Sequence, residues 1–325
     1  MLKSRADTTT EPYVRVIRKF LEWWKSRHFN TQLPFPLSVV SLYLFEFRQS
    51  CTSSSSVILL AHAALKWLHS FIPSLDRNPL DSEFCNIIES AKRQKSQPVM
   101  KKKPITTDII RSILDVHNKK DANLNSLRIA PLCSLAFAGL FRYDELYNIV
   151  PKHIEFHSDY IRIIVPRSKT DVYRDGNYVF ISASMSKYCP VGVLQRYLDL
   201  SGIDLFIDLP LFRPLVFHRS SSSYTLRSWK VSYTTCREIL RDTLSQLGYN
   251  PNDYGLHSQS RSGGITSAVH NCNNSIPERL LKIYGRWKSD SAKDMYVEES
   301  LENRLLVTKY LGLYCIIECI YSCIL

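Results

Sequence analysis

From about residue 10 to residue 95, apolar side chains recur at three- and four-residue steps, the spacing that lays one stripe along a helix. Tyr13, Ile17, Phe20, Leu21 and Trp24 mark the first helix, interleaved with Arg15, Arg18, Lys19 and Lys25. Pro36 is placed to open a second, carrying Val40, Tyr43, Leu44 and Phe47. A third is expected from Val57 to about Phe71. A fourth follows Pro79, with Phe84, Ile87, Ile88 and Ala91 on one side. Four helices of this length suit a small bundle, and the aromatic stripes read as its core.

The periodicity lapses in KRQKSQPVMKKKP, Lys92–Pro104, which is basic and ends in proline. We take residues 96–104 as a linker, 1–95 as the first domain and 105–304 as the second. Helical spacing resumes with Ile109, Ile110, Ile113 and Leu114, for which Thr107 or Asp108 is a suitable cap. Leu127–Val150 reads as one long helix or two. The period then drops to two, and His153–Phe156, Tyr160–Val165 and Tyr178–Ile181 read as short strands, with Asp175-Gly176-Asn177 as turn material. Helices are expected again over Pro190–Leu200, Trp229–Leu247 and Pro277–Tyr284, with Gly285 as a stop, and a last one from about Ser291 through Tyr296. The expected fold is mainly α with one small antiparallel β-sheet, an α+β second domain behind a helical first one.

Composition narrows the partners. The chain has 325 residues, 45% hydrophobic and 22% charged, and a net charge of +12, which points to a polyanion such as nucleic acid or an anionic surface. Lys101, Lys102 and Lys103 could lie along a phosphate backbone, serve as an import signal, or simply be solvated. Nine cysteines are scattered without a CxxC, so neither a disulfide framework nor a zinc ribbon is indicated. An intracellular location is expected, nuclear if the source is eukaryotic. No cofactor and no metal site is implied, and no membrane span: the apolar tail at 305–325 includes only a short run, Leu311–Leu325, interrupted by Glu318.

Candidate chemistry sits in four places. Arg142 falls in an apolar helical stretch, where a structural ion pair with Glu145 and a phosphate clamp are both open readings. Lys169 lies between two strands. His257 and Arg261 precede a Gly-Gly pair that opens a helix, and Trp287 and Tyr296 stand nine residues apart. Taken singly, each has an ordinary structural explanation.

In this order and spacing the set resembles the tyrosine recombinase (phage integrase) family. GLFRYDEL looks like the family's first Arg box, with Glu145 at the supporting acidic position. PRSKTD looks like its hairpin lysine, HSQSRSGG its His/Arg box, in a form similar to eukaryotic mobile-element (Crypton- and DIRS-like) recombinases, and GRWKSDSAKDMYV its last box. CPVGVLQRYL is also family-like. The resemblance covers about residues 105–300 and implies a catalytic domain preceded by a helical core-binding (SAM-like) DNA-binding domain. It implies site-specific recombination or integration of double-stranded DNA through a 3′-phosphotyrosine at Tyr296, without metal or small-molecule cofactor, by a homotetramer on two DNA segments. In that scheme Arg142 and Arg261 clamp the phosphate, Lys169 protonates the leaving 5′ hydroxyl, His257 assists proton transfer and Trp287 supports the phosphate.

Two departures matter. The family's His/Arg box has three steps between its members, whereas His257 to Arg261 is four. Either a bulged turn absorbs one residue, or the register is disturbed and the chain is a decayed or domesticated recombinase that binds DNA without cutting it. The apolar tail fits either docking into a neighbouring protomer or an aberrant end. A structural protein without DNA binding is the third class, separated from the others by the salt dependence of binding.

Overall fold

A computed structural model describes residues 7–29, 33–50, 55–72, 80, 89–90, 93, 101–166, 176–271, 276–287 and 289–291. The chain divides into two compact units, Met1–Lys101 and Lys102–Leu325.

In the first unit α1 (Asp7–Ser26), α2 (Leu37–Ser50) and α3 (Ser55–His69) form the described framework. Its core is aromatic: Phe20, Trp24, Phe35 and Tyr43 are buried with Val40, Leu44, Leu65 and Leu80. Phe20 meets Phe35 and Tyr43 edge-on at 4.9 and 5.0 Å between ring centres, a geometry that adds to burial. Leu21, expected on the apolar stripe, is exposed. Outside the core, Glu46 accepts from the Trp23 indole at 2.9 Å and from the Arg27 guanidinium at 2.8 Å. The expected fourth helix lies mostly outside the described residues.

The second unit is built around α6 (Ile129–Ala138), buried from Ala130 to Ala136. Against it pack α4 (Thr107–His117), α5 (Leu124–Leu127) and α8 (Pro190–Ser201). The cap of α4 is Thr106, one residue before the candidates read from sequence. Its backbone is extended, which aims Oγ1 at the Ile109 amide at 3.4 Å. The stretch read as continuous helix breaks after α6. Gly139 caps it, Leu140 takes a left-handed φ of 49°, and a four-residue α7 (Tyr143–Leu146) starts anew.

Strands β1 (Ile154–Phe156), β2 (Tyr160–Val165) and β3 (Asn177–Ser182) form an antiparallel sheet in that order, with Ile163 opposite Val179 and Val165 opposite Asn177. Ile161, Ile163, Val165, Val179 and Ile181 point into the core, while Tyr178 and Phe180 face out. This is the period-two pattern made concrete.

A second sheet, β4 (Leu215–His218) with β5 (Ser223–Leu226), was not expected. The serine run supplies its turn, Ser222 adopting a φ of 48°. Helix α9 (Tyr233–Gln246) begins four residues later than its apolar pattern suggested, because Ser232 caps it by accepting from Thr235 N–H at 3.1 Å. Trp229 is left exposed. After it come a turn at Pro251–Asp253, a π turn at Ser258–Ser262, α10 (Gly263–Asn271) and α11 (Glu278–Tyr284). No helix among the described residues is long and apolar enough to cross a membrane.

Lys101, Lys102 and Lys103 are exposed. Two of them are nonetheless engaged within the second unit: Lys102 Nζ donates to the Asn252 carbonyl, and Lys103 Nζ pairs with Asp253 at 2.8 Å. Two backbone bonds continue this seam, Lys103 N–H to Asp253 O at 2.8 Å and Ile105 N–H to Ser258 O at 2.9 Å.

Candidate active site

Arg142 does not lie within a helix. It is the N-cap residue of α7, with extended backbone (φ −67°, ψ 159°). Its partner is Glu145, the acid three residues on. Glu145 Oε2 accepts from the Arg142 backbone N–H at 3.0 Å, and Oε1 accepts from the Arg142 guanidinium at 2.8 Å. Glu145 is 1% exposed and the Arg142 side chain 16%. The carboxylate therefore fixes one edge of the guanidinium from inside while part of it stays accessible. Both readings of Arg142 share this geometry, since a structural ion pair is also what would orient a clamp.

The structure adds Arg286, which the sequence reading passed over. Its side chain, 5% exposed, donates to Glu145 Oε2 at 2.8 Å. It also donates to the Gly139 carbonyl at 3.1 Å and to the Leu140 carbonyl at 2.9 Å. One carboxylate facing two guanidiniums leaves one positive charge over in this trio, and Arg142 is the member that reaches the surface. The local signal was weak because Arg286 and Glu145 are 141 residues apart.

The His/Arg box folds as a π turn, Ser258–Ser262, broken at Ser260 with φ −96° and ψ −107°. A π turn takes up about one residue more than an α turn, so a four-residue step here covers about the rotation of three residues in an α-helix. Such a turn is one way to accommodate the extra residue, and the kink at Ser260 falls within it. Ser258, Gln259 and Ser260 all point inward, and Gln259 spans to α6, donating to Leu132 O at 3.5 Å. His257 is exposed at the start of the turn. Arg261 shares the turn, but its side chain lies outside the described residues.

The Gly-Gly pair explains how closely this segment packs. A Cβ on Gly263 would come 2.5 Å from Ser258 O, and one on Gly264 would come 2.6 Å from Phe137 O. Both are sub-contact distances to backbone, so side chains are excluded. Ile265, one residue on, joins Leu140, Leu281 and Trp287 in a small separate apolar cluster. That cluster brings the turn before Arg142, the helix after Arg261 and the segment before Tyr296 together.

Trp287 is buried there, with its indole folded back over Gly285, where a Cβ would overlap the ring. Gly285 is thus small for packing rather than for backbone freedom. The left-handed residue that ends α11 is Arg286, φ 57°. The Tyr284 hydroxyl donates to Ala138 O at 2.6 Å, and burial pushes its pKa up to about 12.

Lys169 lies outside the described residues, between β2 and β3 in sequence, and the last described pair of those strands is Val165–Asn177. The described chain ends at Ser291, so Tyr296 also lies outside it.

No family model matches the chain. It is 25% identical over 300 residues to an integrase/recombinase xerD homolog of Selenomonas ruminantium, covering 91% of this chain and 83% of that protein. Among solved structures it is similar to the XerH site-specific recombinase bound to palindromic difH substrate, with a TM-score of 0.63, 12% identity, and 93% of this chain and 79% of that one covered. The Tn1549 transposon integrase in complex with transposon right end DNA aligns with a TM-score of 0.59 and 14% identity over 95% of each chain. A lambda integrase dimer bound to a COC′ core site aligns with a TM-score of 0.52 and 13% identity, covering 91% of this chain and 90% of that one. With the four boxes read from the residues, the relative and the solved structures agree: the chain resembles tyrosine recombinases/integrases in sequence and shares their fold.

Proposed function

We propose that the protein is a site-specific DNA recombinase that cuts and rejoins strands through a covalent 3′-phosphotyrosine, acting for a mobile element. The observation that supports this most is the Arg142–Glu145 arrangement, in one packed neighbourhood with the His/Arg box and Trp287. A phosphodiester under attack gains negative charge on its non-bridging oxygens, and fixed guanidiniums aimed at that charge lower the barrier. Arg142 is held in that manner, and Arg261 is the second clamp.

In the reaction Tyr296 Oη forms a bond to phosphorus while the bond from phosphorus to the 5′ oxygen breaks. Lys169 delivers a proton to the departing 5′ oxygen, which leaves as a hydroxyl. His257, exposed at the start of its turn, assists in taking the tyrosine proton. Trp287 shapes the phosphate site through the wall it forms with Leu140 and Ile265. The phosphotyrosyl bond conserves the energy needed for rejoining, so the reverse attack by a 5′ hydroxyl completes exchange. Four protomers acting on two duplexes make such exchange reciprocal. The scattered free cysteines and the lysine run suit an intracellular, in a eukaryote nuclear, protein.

The test is incubation of the protein in EDTA with a library of nicked suicide duplexes of randomised sequence, scored for adducts that survive denaturation. Adducts in wild type and none in Tyr296→Phe are expected. Adducts that persist in Tyr296→Phe reject the nucleophile. Tight, salt-sensitive binding without any adduct supports a DNA-binding protein that has lost cleavage.

A further inference from the structure

Glycine is the usual residue at the left-handed position ending a helix, because a side chain there strains the backbone. Helix α11 ends in the full two-bond form of this cap. Trp287 N–H bonds Lys282 O at 3.1 Å and Arg286 N–H bonds Ile283 O at 3.0 Å. The left-handed position between them is occupied by Arg286, φ 57°, and the glycine stands one residue earlier, under the Trp287 ring. A strained backbone is retained where the surroundings use the side chain. Here the use is visible. Beyond Glu145, the guanidinium takes the carbonyls of Gly139, Leu140 and Tyr284 at 3.1, 2.9 and 3.1 Å. Gly139 and Leu140 form the break from which Arg142 projects, and Leu140 has a strained φ of its own, 49°.

We propose that Arg286 is a positioning residue for Arg142. It shares Glu145 with Arg142, fixes the Gly139–Leu140 turn, and does both from the residue that adjoins Trp287 on the way to Tyr296. The phosphate clamp and the turn that leads into Trp287 are thereby tied to one buried guanidinium. Arg286 is too enclosed to touch DNA, so it acts on the rate of the chemical step and not on binding. This rests on the reading of Arg142 as the clamp.

The experiment compares wild type with Arg286→Gly and Arg286→Lys, measuring single-turnover adduct formation at saturating nicked duplex together with DNA affinity and its salt dependence. Arg286→Gly relieves the backbone strain and keeps the cap, so a folded protein is expected. Its cleavage rate should fall about 10-fold or more, as small misplacements of catalytic groups do, with DNA affinity and salt slope unchanged. Arg286→Lys keeps the charge but cannot span the carboxylate and two carbonyls, and should recover part of the rate. The cost of Arg286→Gly should also shrink in an Arg142→Lys background, because the residue acts through Arg142.

Wild-type rates in both variants overturn the inference, as does a loss confined to DNA affinity. If Arg286→Gly fails to fold, Arg286→Lys carries the test alone: a folded lysine variant that cleaves at the wild-type rate overturns the inference. Failure of wild type itself to form an adduct overturns the recombinase reading beneath it.

Discussion

Replacing Glu145 by glutamine keeps the shape of the side chain and removes its charge. The wild-type carboxylate accepts from Arg142 at 2.8 Å and from Arg286 at 2.8 Å, and is 1% exposed. An amide can offer its oxygen to one guanidinium, and then turns its own NH2 toward the other, donor against donor. Arg286 at 5% exposure has little water to turn to. Breaking a buried pair by neutralising one partner costs about 3–5 kcal/mol. The value should sit near the lower end, because Arg142 retains some solvent. In a domain of this size that corresponds to a fall in Tm on the order of 10 °C. Thermal and urea unfolding of the purified protein measure it directly. The double variant Glu145→Gln/Arg286→Gln should be less unstable than the two single changes added together, because it leaves one buried cation fewer. A loss below about 1 kcal/mol for Glu145→Gln would falsify the view that this carboxylate organises the site, since that is the range of an exposed pair.

Other expectations follow from separate features. Gly264→Ala drives a Cβ to 2.6 Å from Phe137 O and into Leu140, and should destabilise by about 1–3 kcal/mol in urea unfolding; an unchanged midpoint contradicts the close packing. Deleting Ser260 should convert the π turn to a regular helical turn with three-step spacing, retaining adduct formation within about tenfold, whereas a folded but inactive product refutes the rotational equivalence. His117 is buried beside Ser126, and burial lowers its pKa from the ordinary 6.5. The unfolded chain then binds the proton more readily, so this group is silent above about pH 6.5 and erodes stability as pH falls below it. His117→Gln should show a smaller drop in urea midpoint between about pH 7.5 and pH 5.5 than wild type, and equal drops would count against the assignment.

Much of the core scaffold was legible because it rests on local pattern. The period-two strands Tyr160–Val165 and Asn177–Ser182 pair as their alternation requires, and the aromatic stripe of α1 is core at Phe20 and Trp24. The Arg142–Glu145 pair needed only helical spacing to be anticipated. What escaped depends on contacts distant in sequence or on backbone states that composition hides. The β4–β5 hairpin alternates weakly and hides its turn in serines. The break at Leu140 is enforced by packing of the Phe141 ring over Gly139 and by Arg286 holding two carbonyls. Gly285 reads as a helix stop in sequence, yet its smallness serves the indole, and the stop is made by an arginine that no propensity would choose.

The seam at the start of the second unit carries a mechanical consequence. Lys103 and Ile105 are hydrogen-bonded, backbone to backbone, to Asp253 and Ser258, so the polypeptide entering this unit runs alongside the loop that presents His257. Displacing the Lys103–Ile105 segment would therefore break or drag the backbone bonds that hold the start of the Ser258–Ser262 turn.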